Sequence, residues 1–224
     1  MSALNLESIR QRQSESFASA AEVLAALSSP VRLRLVHLLS QAPQTVEVLA
    51  QKLGESVANT SMHLRKLALL GLVKAEVEAK HRRYLLHPGM FDFWERAQDF
   101  LQQFDAELFT LDASQEETIW ALSVKETKAL LDAGDALLLD VRPSDESAHW
   151  QFPKKWRVLA ISGHELKNRL KEIPKNKKIL VACRGRLCAL GTFSVAQLNE
   201  AGFQAYRLPY SFHQLIPPTG GSEW

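Results

Sequence analysis

The sequence predicts two domains: a mostly α domain that carries a β-hairpin, followed by an α/β domain built on a parallel sheet. Three observations carry that expectation. A chain of 224 residues is long enough to bury two separate cores. Up to residue 109 apolar residues recur at helical spacing, interrupted by period-two alternation over Leu72–His87. From Ile119 onward short apolar runs alternate with helical segments, the order of a parallel sheet covered by helices. Hydrophobic residues at 46% and charged residues at 23% give a globular composition. No apolar run approaches the roughly 20 residues that span a bilayer, and the N-terminus lacks the apolar centre of a secretory signal. A cytoplasmic protein with no membrane partner is expected.

Each element has a local reason. In SSPVRLRLVHLLSQ, Ser29 can cap a helix, Pro30 suits its first turn, and Val31, Leu35, Leu38 and Leu39 fall on one side. Thr45 can cap a short helix through Leu53, which Gly54 ends in a left-handed conformation. Ser56 can cap a third helix in which Val57, Thr60, Leu64 and Leu67 share a face and which Gly71 closes. LVKAEVEAKHRRYLLH alternates as two strands around a basic tip at Glu78–His81. PGMFDFWERAQDFLQQFDAELF resumes helical spacing, with Phe91, Trp94, Phe100, Leu101, Phe104 and Leu108 as a candidate apolar stripe. Thr110–Thr118 breaks all periodicity, so the expected layout is a first domain over 1–109, a linker over 110–118 and a second domain over 119–224. The second domain reads as lead-in strand Ile119–Leu122, helix Val124–Ala133, strand Ala136–Val141, irregular segment Arg142–Ile161, helix Gly163–Glu172, strand Lys178–Ala182, helix from about Leu190 to Ala201 and strand Gln204–Leu208.

Charge separates the two halves. Between Ser28 and His87 nine Lys and Arg stand against four Asp and Glu, whereas the rest of the chain is slightly acidic. A compact basic segment is what phosphate neutralisation requires. Helix, short helix, turn, helix and basic hairpin is also the order of a winged helix-turn-helix. Over Ser28–Leu86 the sequence resembles the ArsR family of bacterial winged-helix repressors, through SSPVRLRLVHLL, TVEVLAQKLGESVANTSMHLRKLALLGLV and the wing KAEVEAKHRRYLL. By that resemblance Ser56, Ala58, Asn59, Met62 and His63 form the exposed face of a recognition helix in the major groove. Asn59 can hydrogen-bond a base edge, and Ala58 or Met62 can touch a thymine methyl. Arg65, Lys66, Lys80 and Arg82 suit phosphates. The partner is then a double-stranded DNA operator, bound by a homodimer made through the N-terminal helix around Leu6–Leu27 and the aromatic helix after the wing. TVEVLAQKL lacks the cysteines that metal- or oxidant-sensing members carry there, and Ala79 replaces a frequent glycine at the wing tip. His37, His63, His81 and His87 have no paired spacing on one helix face, so neither a metal nor a cofactor is expected.

Both cysteines stand in VACRGRLCAL, between a strand-like run and a helical one. A strand-to-helix loop directs amide N–H groups and a positive helix end into its bowl. Together with Arg184 and Arg186 these groups favour a thiolate at Cys183. Zinc would need more ligands than two thiols. A cysteine-phosphatase loop needs an arginine where Ala189 stands, which removes that chemistry. Sulfur transfer, in which a thiolate accepts a sulfane sulfur and the loop amides hold the persulfide, has no such requirement.

Over residues 119–210 the sequence resembles a rhodanese domain, through ALSVKETKALLDAGDALLLDVRP, LKNRLKEIPKNKKILVACRGRLCAL and LNEAGFQAYRLP. The resemblance implies that Cys183 is the sulfur-accepting nucleophile, that residues 183–188 form its loop, and that Asp140 and Arg142 lie at the sheet edge near the site. Arg184 and Arg186 suit a small sulfur anion such as thiosulfate or a persulfide. Arg186 replaces an expected glycine, WQFPKKW over Trp150–Trp156 remodels the mouth of the site, and Cys188 stands where a serine, threonine or arginine is usual. A second thiol there can attack a persulfide on Cys183, releasing sulfide and leaving a disulfide; it can equally be a small residue that starts the helix. The expected function is a DNA-binding regulator that senses or handles reactive sulfur. A rhodanese-type sulfurtransferase with an autoregulatory DNA-binding domain, and a repressor with an inactive rhodanese domain, are the alternatives.

Overall fold

The computed structural model describes residues 6–78, 81–104, 120 and 122–216. The chain divides into two compact units, Met1–Met90 and Phe91–Trp224. The expected linker over 110–118 lies outside the described residues, as do Ala79, Lys80, Leu108 and Ile119.

In the first unit the order is α1 (Leu6–Leu27), α2 (Pro30–Leu39), β1 (Gln44–Thr45), α3 (Val46–Leu53), α4 (Val57–Leu69), β2 (Val73–Glu78) and β3 (His81–Leu86). β1 and β2 flank β3 in an antiparallel sheet of order β1-β3-β2. The caps explain where the helices begin. Thr45 Oγ1 accepts from the Val48 amide at 3.4 Å and Ser56 Oγ from the Asn59 amide at 3.1 Å. Gly54 ends α3 at φ 71°, a conformation a side chain disfavours. Ser29 precedes α2 without the expected side-chain bond, so that helix starts on the fixed φ of Pro30. Leu35, Leu49, Leu64 and Leu67 are wholly buried between α2, α3 and α4; each such leucine stabilises by about 1.5–3 kcal/mol. α1 instead leaves Leu6, Ile9, Phe17 and Leu24 exposed.

α5 (Pro88–Phe104) follows β3 and belongs to the second unit from Phe91 onward. Its buried face differs from the expected aromatic stripe. Trp94, Glu95 and Gln98 are buried, while Phe100 is 63% exposed and Leu101 is also exposed. Two polar residues therefore lie on the buried face: Glu95 accepts from Ser211, and Gln98 donates to the Trp94 carbonyl.

The remaining elements form a four-stranded parallel sheet: α6 (Val124–Ala133), β4 (Ala136–Asp140), α7 (Ser144–Ser147), β5 (Val158–Ala160), α8 (Leu166–Arg169, prolonged by a 3₁₀ turn over Leu170–Glu172), β6 (Lys178–Ala182), α9 (Ala189–Glu200), β7 (Gln204–Arg207) and α10 (Phe212–Leu215). The strand order is β5-β4-β6-β7. Ser123 and Glu126 close a capping box on α6. Alternate strand residues feed two cores. Leu137, Leu139, Ile179 and Val181 pack with Leu166 of α8 and Val195 and Leu198 of α9. Leu138, Leu180 and Ala182 pack on the other face with Leu131, Trp150, Trp156 and Phe212. Both faces are covered, as a parallel sheet requires. Three details depart from the sequence reading. The segment expected to be irregular contains α7 and β5, the helix expected from Gly163 starts only at Leu166, and α10 was not anticipated. Gly163 lies against α9, where a Cβ would come within 2.5 Å of Leu190 Cδ1.

Candidate functional site

β6 ends at Ala182 and α9 begins at Ala189, so residues 183–188 form the strand-to-helix loop. Gly185 turns it at φ 93°, and a Cβ there would meet Ser211 Oγ at 2.6 Å. Both thiols are free and buried, Cys183 at 1% and Cys188 at 6% exposure. Each thiol shifts the titration of the other. Cys183 Sγ also faces the carbonyls of Gly185 at 3.6 Å and Cys188 at 4.0 Å.

The groups around the pair favour the anion at Cys188 over Cys183. Cys183 lies in the apolar core between sheet and α9, surrounded by carbonyl acceptors; its bond to Cys188 and its burial push its pKa well above the ordinary value. Cys188 stands at the N-terminus of α9. The Cys183 thiol donates to it, the amides of Arg184 and Leu190 face its sulfur, and the Arg184 charge is near; together they lower its pKa to about 6.

The loop arginines are neutralised by acids that sequence reading passed over. Arg184 grips Glu146 of α7 through Nε at 2.8 Å and Nη2 at 2.7 Å, and Glu146 is fully buried. Arg186 Nε donates to Asp99 Oδ1 of α5 at 2.6 Å. On the same helix Glu95 accepts from Ser211 N at 3.2 Å and Ser211 Oγ at 2.7 Å. Gln98 Oε1 lies 3.9 Å from the Cβ position of Gly185. Asp140 and Arg142 are placed at the sheet's C-terminal edge, Asp140 in register with Ala182. Both are fully buried and form a two-pronged pair at 3.0 and 2.8 Å, with the Arg142 guanidinium 3.8 Å from the Phe212 ring centre. Trp150 and Trp156, expected at the mouth, are core residues; Trp156 Nε1 donates to Asp132 at 2.6 Å. Among the described residues no group of three or more His, Cys, Asp and Glu is assembled to hold a metal ion.

In the first unit α4 buries Thr60, Leu64 and Leu67 and exposes Ser56, Ala58, Met62, Arg65 and Lys66. Asn59 is half-buried and donates from Nδ2 to Glu55 at 2.8 Å. His63 Nδ1 lies 3.4 Å from Nη1 of Arg32, whose guanidinium also donates to the carbonyls of Ala25 and Ala26. Arg82 is exposed on the wing, 5.8 Å from the Tyr84 ring centre. Lys80 lies outside the described residues.

Comparison with known proteins fits this division. A helix-turn-helix domain family matches residues 27–76 and a rhodanese-like domain family matches residues 123–215. The chain is similar to the HTH-type transcriptional regulator Rv0324 of Mycobacterium tuberculosis, 27% identical over 199 residues, covering 84% of this chain and 83% of that one. Among solved structures it is similar to the winged helix-turn-helix domain of Mb0332 from Mycobacterium bovis, a homodimer (24% identity, 46% of this chain, 92% of that chain, TM-score 0.41). NolR from Sinorhizobium fredii is another (28% identity, 47% and 97%, TM-score 0.37). Among the described residues no helix is long and apolar enough to cross a membrane.

The helix-turn-helix match ends before α5 and the rhodanese-like match begins after it. Gln98 and Asp99 thus reach the thiol loop, and Glu95 holds Ser211 beside it, from a segment that neither family match covers. The available signal was polarity: a helix otherwise rich in Phe and Trp keeps an acid or amide at three positions of one face.

Proposed function

We propose that the chain is an ArsR-type DNA-binding transcriptional regulator whose rhodanese-like domain senses reactive sulfur through Cys183 and Cys188. The observation that carries this reading is the pair of free, buried thiols at the two ends of one strand-to-helix loop, with Cys188 at the start of α9. Cys188 takes the Cys183 proton, and Cys183 Sγ attacks a terminal sulfur of an inorganic polysulfide. A bond forms between Cys183 Sγ and that sulfur; the polysulfide S–S bond breaks, and its electron pair leaves on the shortened dianion. Cys188, now protonated, attacks the inner sulfur of the persulfide. The Cys183–Cys188 bond forms, and the outer sulfur departs with the Cys188 proton as HS⁻. The two thiols are oxidised by two electrons and one sulfane sulfur is reduced to sulfide. A plain sulfurtransferase would keep its persulfide for an outside acceptor, whereas here a second thiol competes for it.

The loop that changes is tied to α5. Arg186 lies between the cysteines and pairs with Asp99, so closing the ring alters the chain segment that holds this ion pair. On the DNA side Ser56, Ala58, Asn59, Met62 and His63 form the face toward the bases, and Arg65, Lys66, Lys80 and Arg82 hold the backbone. A homodimer through α1 and α5 covers the exposed Leu6, Ile9, Phe17 and Leu24 and the exposed Phe93 and Phe100.

Treatment of the reduced chain with polysulfide, followed by mass mapping and sulfide assay, tests the chemistry. The expected outcome is a Cys183–Cys188 disulfide with sulfide release, and a persulfide trapped on Cys183 in Cys188→Ser. Sustained thiocyanate formation from thiosulfate and cyanide, with no disulfide, would favour the sulfurtransferase instead.

A further inference from the structure

Four arginines surround the thiol loop, and three of them have an acid. Arg142 pairs with Asp140, Arg184 with Glu146 and Arg186 with Asp99. The fourth, Arg207, closes β7 in register with Val181, two residues before Cys183. It is 92% buried, being 8% exposed. Its guanidinium donates only to neutral oxygens, from Nη1 to Thr192 Oγ1 at 2.7 Å and from Nη2 to the Arg186 carbonyl at 3.0 Å. Among the described residues Nε has no hydrogen-bond partner. A buried cation without a counter-charge is costly unless an anion arrives.

The same residue is next to the sulfur. The position a Cβ would take at Gly191 lies 2.6 Å from Cys183 Sγ and 3.4 Å from both Cγ and Cδ of Arg207. One glycine in the first turn of α9 therefore lets the thiol and the arginine stem approach the same point. The charged and titratable groups around Cys183 are Cys188 in its own loop, Arg184 with Glu146, Arg186 with Asp99, and Arg207. Of the forces on Cys183, its bond to Cys188 and its burial oppose the anion, while the Arg207 charge favours it.

We propose that Arg207 is the counter-ion of anionic sulfur on Cys183, first of the thiolate and then of the persulfide. A hydropersulfide is a stronger acid than its parent thiol, so sulfur uptake turns a neutral group beside Arg207 into a lasting anion. Arg207 also holds the loop through the Arg186 carbonyl, so it is a positioning residue that acts through Cys183. The persulfide role rests on the sulfur chemistry proposed above.

The test uses the full chain carrying Cys188→Ser, so that Cys183 titrates alone, with and without Arg207→Gln or Arg207→Lys. Thiolate ultraviolet absorbance gives the Cys183 midpoint, and inorganic polysulfide gives the rate of persulfide formation. Arg207→Gln is expected to raise the midpoint by about one pH unit and slow uptake at neutral pH roughly tenfold. Arg207→Lys, which keeps the charge, restores most of both. A folded Arg207→Gln chain with unchanged midpoint overturns the proposal. If that variant does not fold, thermal unfolding of the Cys188→Ser chain before and after sulfur loading decides: the loaded form is expected to unfold at higher temperature, and an equal or lower temperature overturns it. If no chain accepts sulfur, the sensing reading fails, while the absorbance titration still decides whether Arg207 is the counter-ion.

Discussion

Cys188 shows how much a single position in the loop matters. Its pKa of about 6 lies below the ordinary thiol value of 9.0, so the folded state holds an anion that the unfolded chain would still hold as a thiol. A depressed pKa contributes stability that is full above the unfolded value and is lost as pH falls through the folded one. Wild type measured against Cys188→Ser is therefore expected to gain stability as pH rises from about 6 to 9. A flat difference in unfolding free energy over that window contradicts the assignment. Cys183, shifted the other way, disfavours folding above that range. Gly191→Ala sets two effects in opposition. Alanine is the better helix former by about 1 kcal/mol, but its Cβ would stand 2.6 Å from Cys183 Sγ, and overpacking of this kind costs about 1–3 kcal/mol. Denaturant unfolding is expected to show net destabilisation, with slower alkylation of the pair. Glu146→Gln leaves Arg184 without its carboxylate. Removing a fully buried partner costs about 3–5 kcal/mol; because the Arg184 side chain is 23% exposed, a loss nearer ~2 kcal/mol is expected.

At the scale of elements, local chemistry was legible and tertiary pairing was not. Thr45, Gly54, Ser56 and Ser123 each mark a helix boundary that their own side chain or φ sets, so α3, α4 and α6 could be placed from sequence. β6 was legible because four successive apolar residues, Ile179–Ala182, fit a doubly covered strand. β5 has three residues, too few to show a period. Arg207 could not be found at all, since its nearness to Cys183 exists only through the parallel register of β6 and β7. Glu146 and Asp99 were hidden for the same reason: an acid 38 or 87 residues from its arginine leaves no local pattern. On α4, Lys66→Ala is expected to weaken DNA binding uniformly across sequences and reduce the salt slope of log K by about 0.9. Asp99→Asn separates structure from signalling. The pair is partly exposed, so its loss costs less than about 1 kcal/mol of stability, yet the effect of sulfur on DNA affinity is expected to shrink.

For the whole molecule, a helix-turn-helix match and a rhodanese-like match share one chain, and α5 is the element whose polar face meets the thiol loop. Coupling between two sites has a typical size of 1–3 kcal/mol, or about 5–150-fold in affinity. The account requires that much difference between the reduced and the sulfur-oxidised chain. The most direct measurement selects a DNA duplex from a random pool on the reduced protein, then titrates it against the chain before and after polysulfide treatment, with Cys183→Ser and Cys188→Ser alongside. The account predicts a change of at least about fivefold for wild type, absent in Cys183→Ser and reversed by a thiol reductant. Equal affinities, in a preparation whose Cys183–Cys188 disulfide has been verified by mass, would contradict it.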